Sequence, residues 1–413
     1  MNWWENSAAR IASGRLLIGG RPAEHWASRE GTPLFVYSRA RLVENYRRLR
    51  ALFNAAVDVE ARICYAMKAN PFFPILAVLK KEGAWIDAVS PGEVDRARRS
   101  GFPADRVLFT GTSISADDFG RVFARRGVTV NIDALEQIDI MRDVLGRAPR
   151  PHPPRVSVRW NPGIGSGFNP QVITAGERSS DGTPIKFGVE ESRVLDAFES
   201  AAAAGFRPIG LHQHLGSGWS ADDFPTVIQA VDRMMDMAGQ VVRAGFELEF
   251  LDFGGGFGPR YAKVQQPFPV DRYARYLGRS LHRARLGVKA IVLEPGKYLV
   301  ADAGVLLLRV NYLKRSYGNL FACVDGGTFN TLPRPAVYGA AHEVVNASPP
   351  LGRRRAPVTV AGHLCETADV FAKDMIMAVP RAGDLLAVLC AGAYGRSMAS
   401  EFNLRPIGGE ILA

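Results

Sequence analysis

A few segments of the sequence carry residue types suited to one chemistry, the holding of a flat ring that bears a phosphate. Lys68, in Tyr65-Ala66-Met67-Lys68-Ala69-Asn70, stands where an apolar run gives way to a loop, at a half-buried position. Two readings of it are open. Its stem can lie along apolar surface with the ammonium in water, or its amine can be made nucleophilic by desolvation and form a Schiff base with a carbonyl carbon. Gly254-Gly255-Gly256-Phe257-Gly258 follows another apolar run. A glycine loop there lets backbone N–H groups approach phosphate oxygens with no side chain in the way. His212-Gln213-His214-Leu215-Gly216-Ser217-Gly218 adds an imidazole that can lie against a ring and a hydroxyl that can bind phosphate. Glu294-Pro295-Gly296-Lys297 places a carboxylate that can hold a ring nitrogen protonated, with a structural salt bridge as its alternative. A metal reading of the two histidines would use only one of them, since alternate residues on a strand face opposite ways, and no metal is expected.

These groups need a scaffold that brings them to one place. Eight short apolar runs, each bounded by turn residues, read as buried parallel strands: Ile63 to Met67, Ile86 to Val89, Val107 to Thr110, Val128 to Ile132, Val156 to Trp160, Gly210 to His214, Phe250 to Phe253 and Ala290 to Leu293. Amphipathic stretches between most of them are long enough for helices. One is Pro91 to Arg99, with Val94 and Ala97 on one face and Pro near the start, where its missing N–H costs nothing. Eight βα units in series predict a (β/α)8 TIM barrel, whose active site lies at the C-terminal ends of the strands. Lys68 follows the first run, Asn161 the fifth, His214 ends the sixth, the glycines follow the seventh and Glu294 the eighth. A doubly wound sheet is the alternative, but it would disperse these groups.

Beyond about residue 303 the runs Val305 to Leu313, Phe321 to Val324, Pro357 to Val360 and Leu385 to Leu389 read as antiparallel strands of a separate β domain. Leu16-Leu17-Ile18-Gly19-Gly20 and Pro33-Leu34-Phe35-Val36-Tyr37 read as strands that join it. The expected organisation is therefore an N-terminal segment 1–40 that joins the β domain, a barrel over 41–300 and a C-terminal β domain over 301–413. Gly163 to Gly182, rich in Gly, Ser, Asn and Thr, reads as a long loop beside the barrel mouth and a candidate for mobility.

Composition narrows the class. With 413 residues, 47% of them hydrophobic and 22% charged, the chain reads as a soluble globular protein able to bury a large core. No apolar run approaches the roughly 18 residues of a membrane span, and the N-terminal Met1-Asn2-Trp3-Trp4-Glu5 lacks the pattern of a signal peptide or lipid anchor, so a cytoplasmic location is expected. Cys64, Cys323, Cys365 and Cys390 are scattered, which argues against a disulfide framework or a zinc site. The net charge of +10 is spread along the chain apart from clusters such as Arg353-Arg354-Arg355, which read as solvated surface and not as a nucleic-acid face.

In the segments around Lys68, His214, the glycines and Glu294 the sequence resembles the fold type III decarboxylases that use pyridoxal 5'-phosphate (PLP), the family of diaminopimelate, ornithine and arginine decarboxylases. The resemblance covers nearly the whole chain. It is greatest to the diaminopimelate branch, through Tyr65-Ala66-Met67-Lys68-Ala69, Asn161-Pro162-Gly163, Lys186-Phe187-Gly188, His212 to Gly218, Arg334-Pro335-Ala336-Val337-Tyr338-Gly339, Cys365-Glu366-Thr367-Ala368-Asp369 and Gly392-Ala393-Tyr394-Gly395. It implies that Lys68 carries PLP as a Schiff base, His214 stacks on the ring and Glu294 pairs with the pyridine nitrogen. Ser217, Gly254, Gly255, Gly256 and Tyr394 are implied to hold the phosphate. Cys365 and Glu366 are implied to reach into the other subunit of a homodimer, with Cys365 the proton donor to Cα; taken alone, Cys365 also reads as a buried structural thiol.

The implied reaction is decarboxylation of meso-diaminopimelate to L-lysine, with Arg334 and Tyr338 meeting the distal carboxylate, Glu366 the distal ammonium, and Lys297 assisting. Three departures bear on the substrate. Lys297 replaces the usual Arg of Glu-Pro-Gly-Arg and offers a point charge in place of a planar fork. Asp325 to Leu332 is one residue longer than the family form, with Thr331 where Asp is common. Glu401-Phe402-Asn403 stands for Asn-Tyr-Asn, and the chain stops at Ala413, without the family's further C-terminal segment. The alternatives are a decarboxylase of a related or carrier-bound amino acid in specialised metabolism, and a PLP carrier or racemase on the same barrel.

Overall fold

Apolar runs covered on both faces form the strands of a closed barrel. The computed structural model describes residues 2–146, 152–348 and 353–413. The barrel strands are β1 (Glu60–Ala66), β2 (Trp85–Ala88), β3 (Val107–Phe109), β4 (Thr129–Ile132), β5 (Arg155–Asn161), β6 (Arg207–His212), β7 (Phe250–Asp252) and β8 (Ala290–Leu293). Each pairs in parallel with the next, and β8 pairs with β1, which closes the ring. One α-helix lies between each successive pair of strands. The helix Pro91–Arg99 is typical of them: Ser90 Oγ accepts from the Glu93 N–H at its start, worth about 1 kcal/mol, and Val94 and Ala97 are buried.

All eight expected strands are present, and this (β/α)8 ring is the expected TIM barrel. The sixth starts earlier than the expected run and ends two residues sooner. It ends at His212, so Gln213 and His214 belong to the loop that follows. Inside the ring, Cys64, Leu108, Ile209, Phe250, Ala290 and Val292 form an apolar cluster against which Trp85 packs. Asp87, His212 and Asp252 are fully buried on the same strands, at their C-terminal ends. The barrel unit comprises Tyr46–Gly258 and Gln266–Gly296.

A second unit comprises Met1–Asn45, Pro259–Gln265 and Lys297–Ala413. Its central strand, Gly304–Ser316, is long enough to pair with Leu385–Val388 and Leu34–Tyr37 through its first half and with Asn319–Val324 through its second. Val344–Asn346 extends the sheet at one edge, and Arg355–Ala361 with Val370–Ala378 at the other. The sheet is mostly antiparallel, with two parallel pairings, Asn319–Val324 with Arg355–Ala361 and Gly409–Leu412 with Leu34–Tyr37. Leu34–Tyr37 joins this sheet, whereas Arg15–Ile18 pairs only with Ala9–Ala12 and Arg21–Pro22 in a small sheet of its own. Leu16 and Ile18 still pack into the same core as Val36, Val305, Leu307 and Leu385.

Candidate functional site

The polar groups of the barrel converge because its strands end together. Lys68 lies in the single turn Met67–Ala69 directly after β1. Its Nζ donates to Asp87 Oδ2 at 2.7 Å, with the lysine side chain 35% exposed and the aspartate fully buried. Burial and the nearby Glu294 push the Asp87 carboxyl above its ordinary range, against the pull of Lys68. Glu93, whose carboxylate accepts from the Val89 N–H at 2.8 Å, is pushed by burial up to about 7.

His214 is half-buried, and its Nδ1 accepts from the Gly255 N–H at 3.2 Å. That bond fixes the tautomer with hydrogen on Nε2. Burial, with the Lys68 charge adding, holds the ring well below the ordinary imidazole range, so it is neutral. Glu294 follows β8. Its Oε2 lies 3.2 Å from His212 Nε2, and its Oε1 is buried with no hydrogen-bond partner. Burial raises the Glu294 carboxyl, but the attraction of His212, their hydrogen bond and Lys68 together hold it well below its ordinary range.

The glycine run works differently from the expectation that all three glycines point N–H groups at a phosphate. The Gly254 N–H donates to Asp252 Oδ1 at 2.9 Å and the Gly255 N–H to His214, so both are directed inward. Their lack of side chains serves packing: a Cβ on Gly255 would stand 2.1 Å from the Glu294 carbonyl oxygen, and one on Gly256, at φ 122°, 2.2 Å from the Trp219 ring. Ser217 sits half-buried on the adjacent loop.

The segment after β5 is tied down rather than loose. Asn161 Oδ1 accepts from the Gly163 and Gly176 N–H groups, and Ser166 and Thr174 both donate through their backbones to the Leu215 carbonyl. Arg159, buried on β5, pairs with Asp133 at 3.3 Å and stacks over Phe187 of the Lys186-Phe187-Gly188 motif.

The β unit carries the other candidates. Lys297 is buried, with Nζ 5.0 Å from the centre of the Tyr394 ring. Arg334 opens the short helix Arg334–Tyr338 and is 1% exposed. Its Nη1 donates to the Tyr261 hydroxyl at 2.7 Å while its guanidinium lies over the same ring. Burial pushes the Tyr261 hydroxyl up to about 12, so it stays protonated. Tyr338 ends that helix half-buried. Thr331, in place of the family's Asp, is fully buried and satisfied locally by donating to the Gly327 carbonyl at 2.6 Å.

Cys365 and Glu366 are exposed, on a loop anchored by the buried Asp369, which accepts from the Leu364 N–H at 2.7 Å and the Thr328 hydroxyl at 2.9 Å. Exposure corrects the reading of Cys365 as a buried thiol. The Asn403 amide contacts both its backbone and its sulfur.

Sequence reasoning did not single out Asp87, Asp252, Tyr261 or Asn403. For the two aspartates a signal existed: each interrupts an apolar strand, where an unpaired charge is costly. Tyr261 and Asn403 act through partners distant in sequence and leave no local mark.

A family model, "Pyridoxal-dependent decarboxylase, pyridoxal binding domain", matches residues 39–301. The chain is 41% identical to a diaminopimelate decarboxylase of Methanothermobacter thermautotrophicus over 97% of its own length and 90% of that protein's. Among solved structures it is similar to the diaminopimelate decarboxylase of M. jannaschii in co-complex with L-lysine, with TM-score 0.88 and 29% identity over 99% of this chain and 93% of that one. It is likewise similar to the Helicobacter pylori enzyme complexed with L-lysine, with TM-score 0.85 and 29% identity over 94% and 93% of the two chains. The residues present fit PLP: a buried acceptor without a partner at Glu294 Oε1 for a ring nitrogen, a neutral imidazole at His214 and a half-buried amine at Lys68. A family match across most of the chain, on a barrel with these groups at its mouth, makes this chain a member of the pyridoxal-dependent decarboxylases, a carboxy-lyase whose cofactor is pyridoxal 5'-phosphate.

Proposed function

We propose that the protein decarboxylates meso-diaminopimelate to L-lysine. The observation that carries this reading is the 41% identity, over nearly the full length of both chains, to a diaminopimelate decarboxylase. The buried cations Lys297 and Arg334 support it, because a distal carboxylate is what separates this substrate from lysine or ornithine.

Bound PLP supplies an electron sink for the pair left on Cα when carbon dioxide departs. The protein's residues do the rest. Lys68 Nζ would carry the cofactor, and Asp87, 2.7 Å from it, would orient that amine. His214, neutral, would lie against the ring, and Glu294 would hold the ring nitrogen. Ser217, the Gly256 N–H and Tyr394 would hold the phosphate. Arg334, Tyr338 and Lys297 receive the distal carboxylate, and Glu366 the distal ammonium. The Cys365 Sγ–H gives its proton to Cα, and the thiolate regains one from water.

In this reading Cys365 and Glu366 serve the site of a second copy, so the active species is a homodimer. The location is cytoplasmic; no helix among the described residues is long and apolar enough to cross a membrane. The test is to incubate the purified PLP-loaded protein with meso-diaminopimelate, ornithine and lysine, and to measure carbon dioxide and the amine product. Release from diaminopimelate with equimolar L-lysine is expected. Preference for another amino acid overturns the substrate, and conversion without carbon dioxide overturns the reaction.

A further inference from the structure

Beneath Glu294 the barrel interior holds two titratable side chains where branched apolar residues are the usual filling. His212 ends β6 and Asp252 ends β7, and the two are register partners on neighbouring strands. Val292 is the partner of Asp252 on β8, so Glu294, two residues on, faces the same way one layer higher. Both side chains are fully buried. His212 Nε2 lies 3.2 Å from Glu294 Oε2, and one ligand atom of each of the three residues lies within 4.8 Å of the other two. Asp252 Oδ1 accepts the Gly254 N–H, while Asp252 Oδ2 has no hydrogen-bond partner.

Two ionised carboxylates this close, shielded from water, repel strongly, so one of them holds a proton. The neighbours decide which. Glu294 has His212 as its hydrogen-bond partner and the Lys68 ammonium nearby, and both stabilise its charge. Asp252 has one backbone N–H in its favour, and burial and the charge of Glu294 push its carboxyl well above the ordinary range. Asp87 adds a further like charge, and Arg159 is the remaining cation near the cluster. A proton on Asp252 Oδ2 also removes the one unmet atom of that side chain by making it a donor toward Glu294.

We propose that Asp252 is an un-ionised carboxylic acid at neutral pH, and that with His212 it forms a two-donor cradle that keeps Glu294 ionised and aimed at the ring nitrogen. The cradle's purpose rests on the proposed function, in which Glu294 meets the cofactor ring nitrogen; the proton on Asp252 does not. Both Asp252 and His212 are positioning residues, acting through Glu294.

Infrared difference spectra of the apoprotein against Asp252→Asn read that proton without any activity. The expected result is a carboxylic-acid carbonyl stretch at neutral pH that disappears in the variant; its absence from the parent overturns the proposal. In the PLP-loaded enzyme, Asp252→Asn keeps a donor toward Glu294 and should lose at least about tenfold less kcat than Asp252→Leu, with a smaller shift of the visible band. His212→Leu should likewise lower kcat by about tenfold or more and shift the band. Equal losses in the Asn and Leu variants overturn the cradle, and if Asp252→Leu fails to fold, the infrared result decides. A Glu294→Gln enzyme with unchanged band and kcat overturns the role given to Glu294 itself, whereas absence of the carbonyl stretch from the parent overturns the proposal and leaves that role standing.

Discussion

Asn403 grips Cys365 at two points: the Cys365 N–H donates to Asn403 Oδ1 at 3.0 Å, and Asn403 Nδ2 donates to Cys365 Sγ at 3.2 Å. Asn403 does so from the left-handed region, at φ 57°, which asparagine tolerates better than most residues. The thiol is therefore aimed although its loop is exposed. If Cys365 protonates Cα, Asn403→Ala should lower kcat by about 5–30-fold, the equivalent of two lost hydrogen bonds at about 1–2 kcal/mol in all, while KM moves little. Steady-state kinetics with saturating PLP checks this, and an unchanged kcat would remove Asn403 from the mechanism.

The same thiol provides the test of shared sites. Lys68→Ala and Cys365→Ala should each be inactive as homodimers, yet mixing them should restore about a quarter of the activity, since one site in each heterodimer is intact when subunits exchange at random. No recovery despite demonstrated exchange would mean that one chain supplies the whole site.

Lys68 Nζ pairs with the buried Asp87 at 2.7 Å, and in the proposed function this amine carries the cofactor. Lys68→Ala should abolish the visible band of the covalently held cofactor and reduce kcat to background, while PLP remains bound non-covalently. Borohydride treatment followed by mass spectrometry of the intact chain gives the answer. A stable adduct in the variant would place the attachment elsewhere.

The barrel was legible because strands covered on both faces are written as unbroken apolar runs, such as Ala290–Leu293, with the reactive groups just past their ends. The β unit was less so. Val370–Ala378 was missed because Lys373 and Asp374 interrupt it and Asp374 takes φ 47°, which breaks the alternation a strand signal needs. Parallel pairing of Asn319–Val324 with Arg355–Ala361 has no sequence signature, since direction is set by the connection and not by residue pattern. In the site, residue types pointed to Lys68, His214 and Glu294. The inward direction of the Gly254 and Gly255 N–H groups depended on where the His214 and Asp252 side chains lay.

Glu93 gives a pH dependence of stability. Its folded pKa of about 7 lies above the ordinary 4.5 because burial disfavours the charged form. The folded protein therefore binds the extra proton, so this stability contribution is full below about pH 4.5 and is lost as pH rises through about 7. Glu93→Gln keeps an acceptor for the Val89 N–H without the charge. Between about pH 5 and about pH 8 the variant should gain on the parent by up to about 3 kcal/mol in denaturant unfolding. Parallel pH profiles for the two proteins would show instead that Glu93 ionises freely in the fold.

In the proposed function, substrate choice turns on Arg334 and the ring beneath it. Tyr261 accepts from Arg334 Nη1 at 2.7 Å and lies under the guanidinium, so the cation is oriented by two contacts from one side chain. If Arg334 receives a distal carboxylate, Arg334→Ala should weaken kcat/KM on diaminopimelate by about 2–5 kcal/mol, because a desolvated substrate charge loses its partner. Tyr261→Phe keeps the stacking and removes the hydroxyl, and should cost about 1 kcal/mol, mostly in KM. Lysine and ornithine lack the distal carboxylate, so they should be poor substrates of the parent and lose little more in either variant. Lys297→Arg should be tolerated or raise diaminopimelate turnover, since a planar fork replaces a point charge. Competition assays of the three amino acids against parent and variants decide the matter. If Arg334→Ala leaves the preferred activity intact, the carboxylate is received elsewhere and the diaminopimelate reading fails, while membership of the PLP decarboxylases stands.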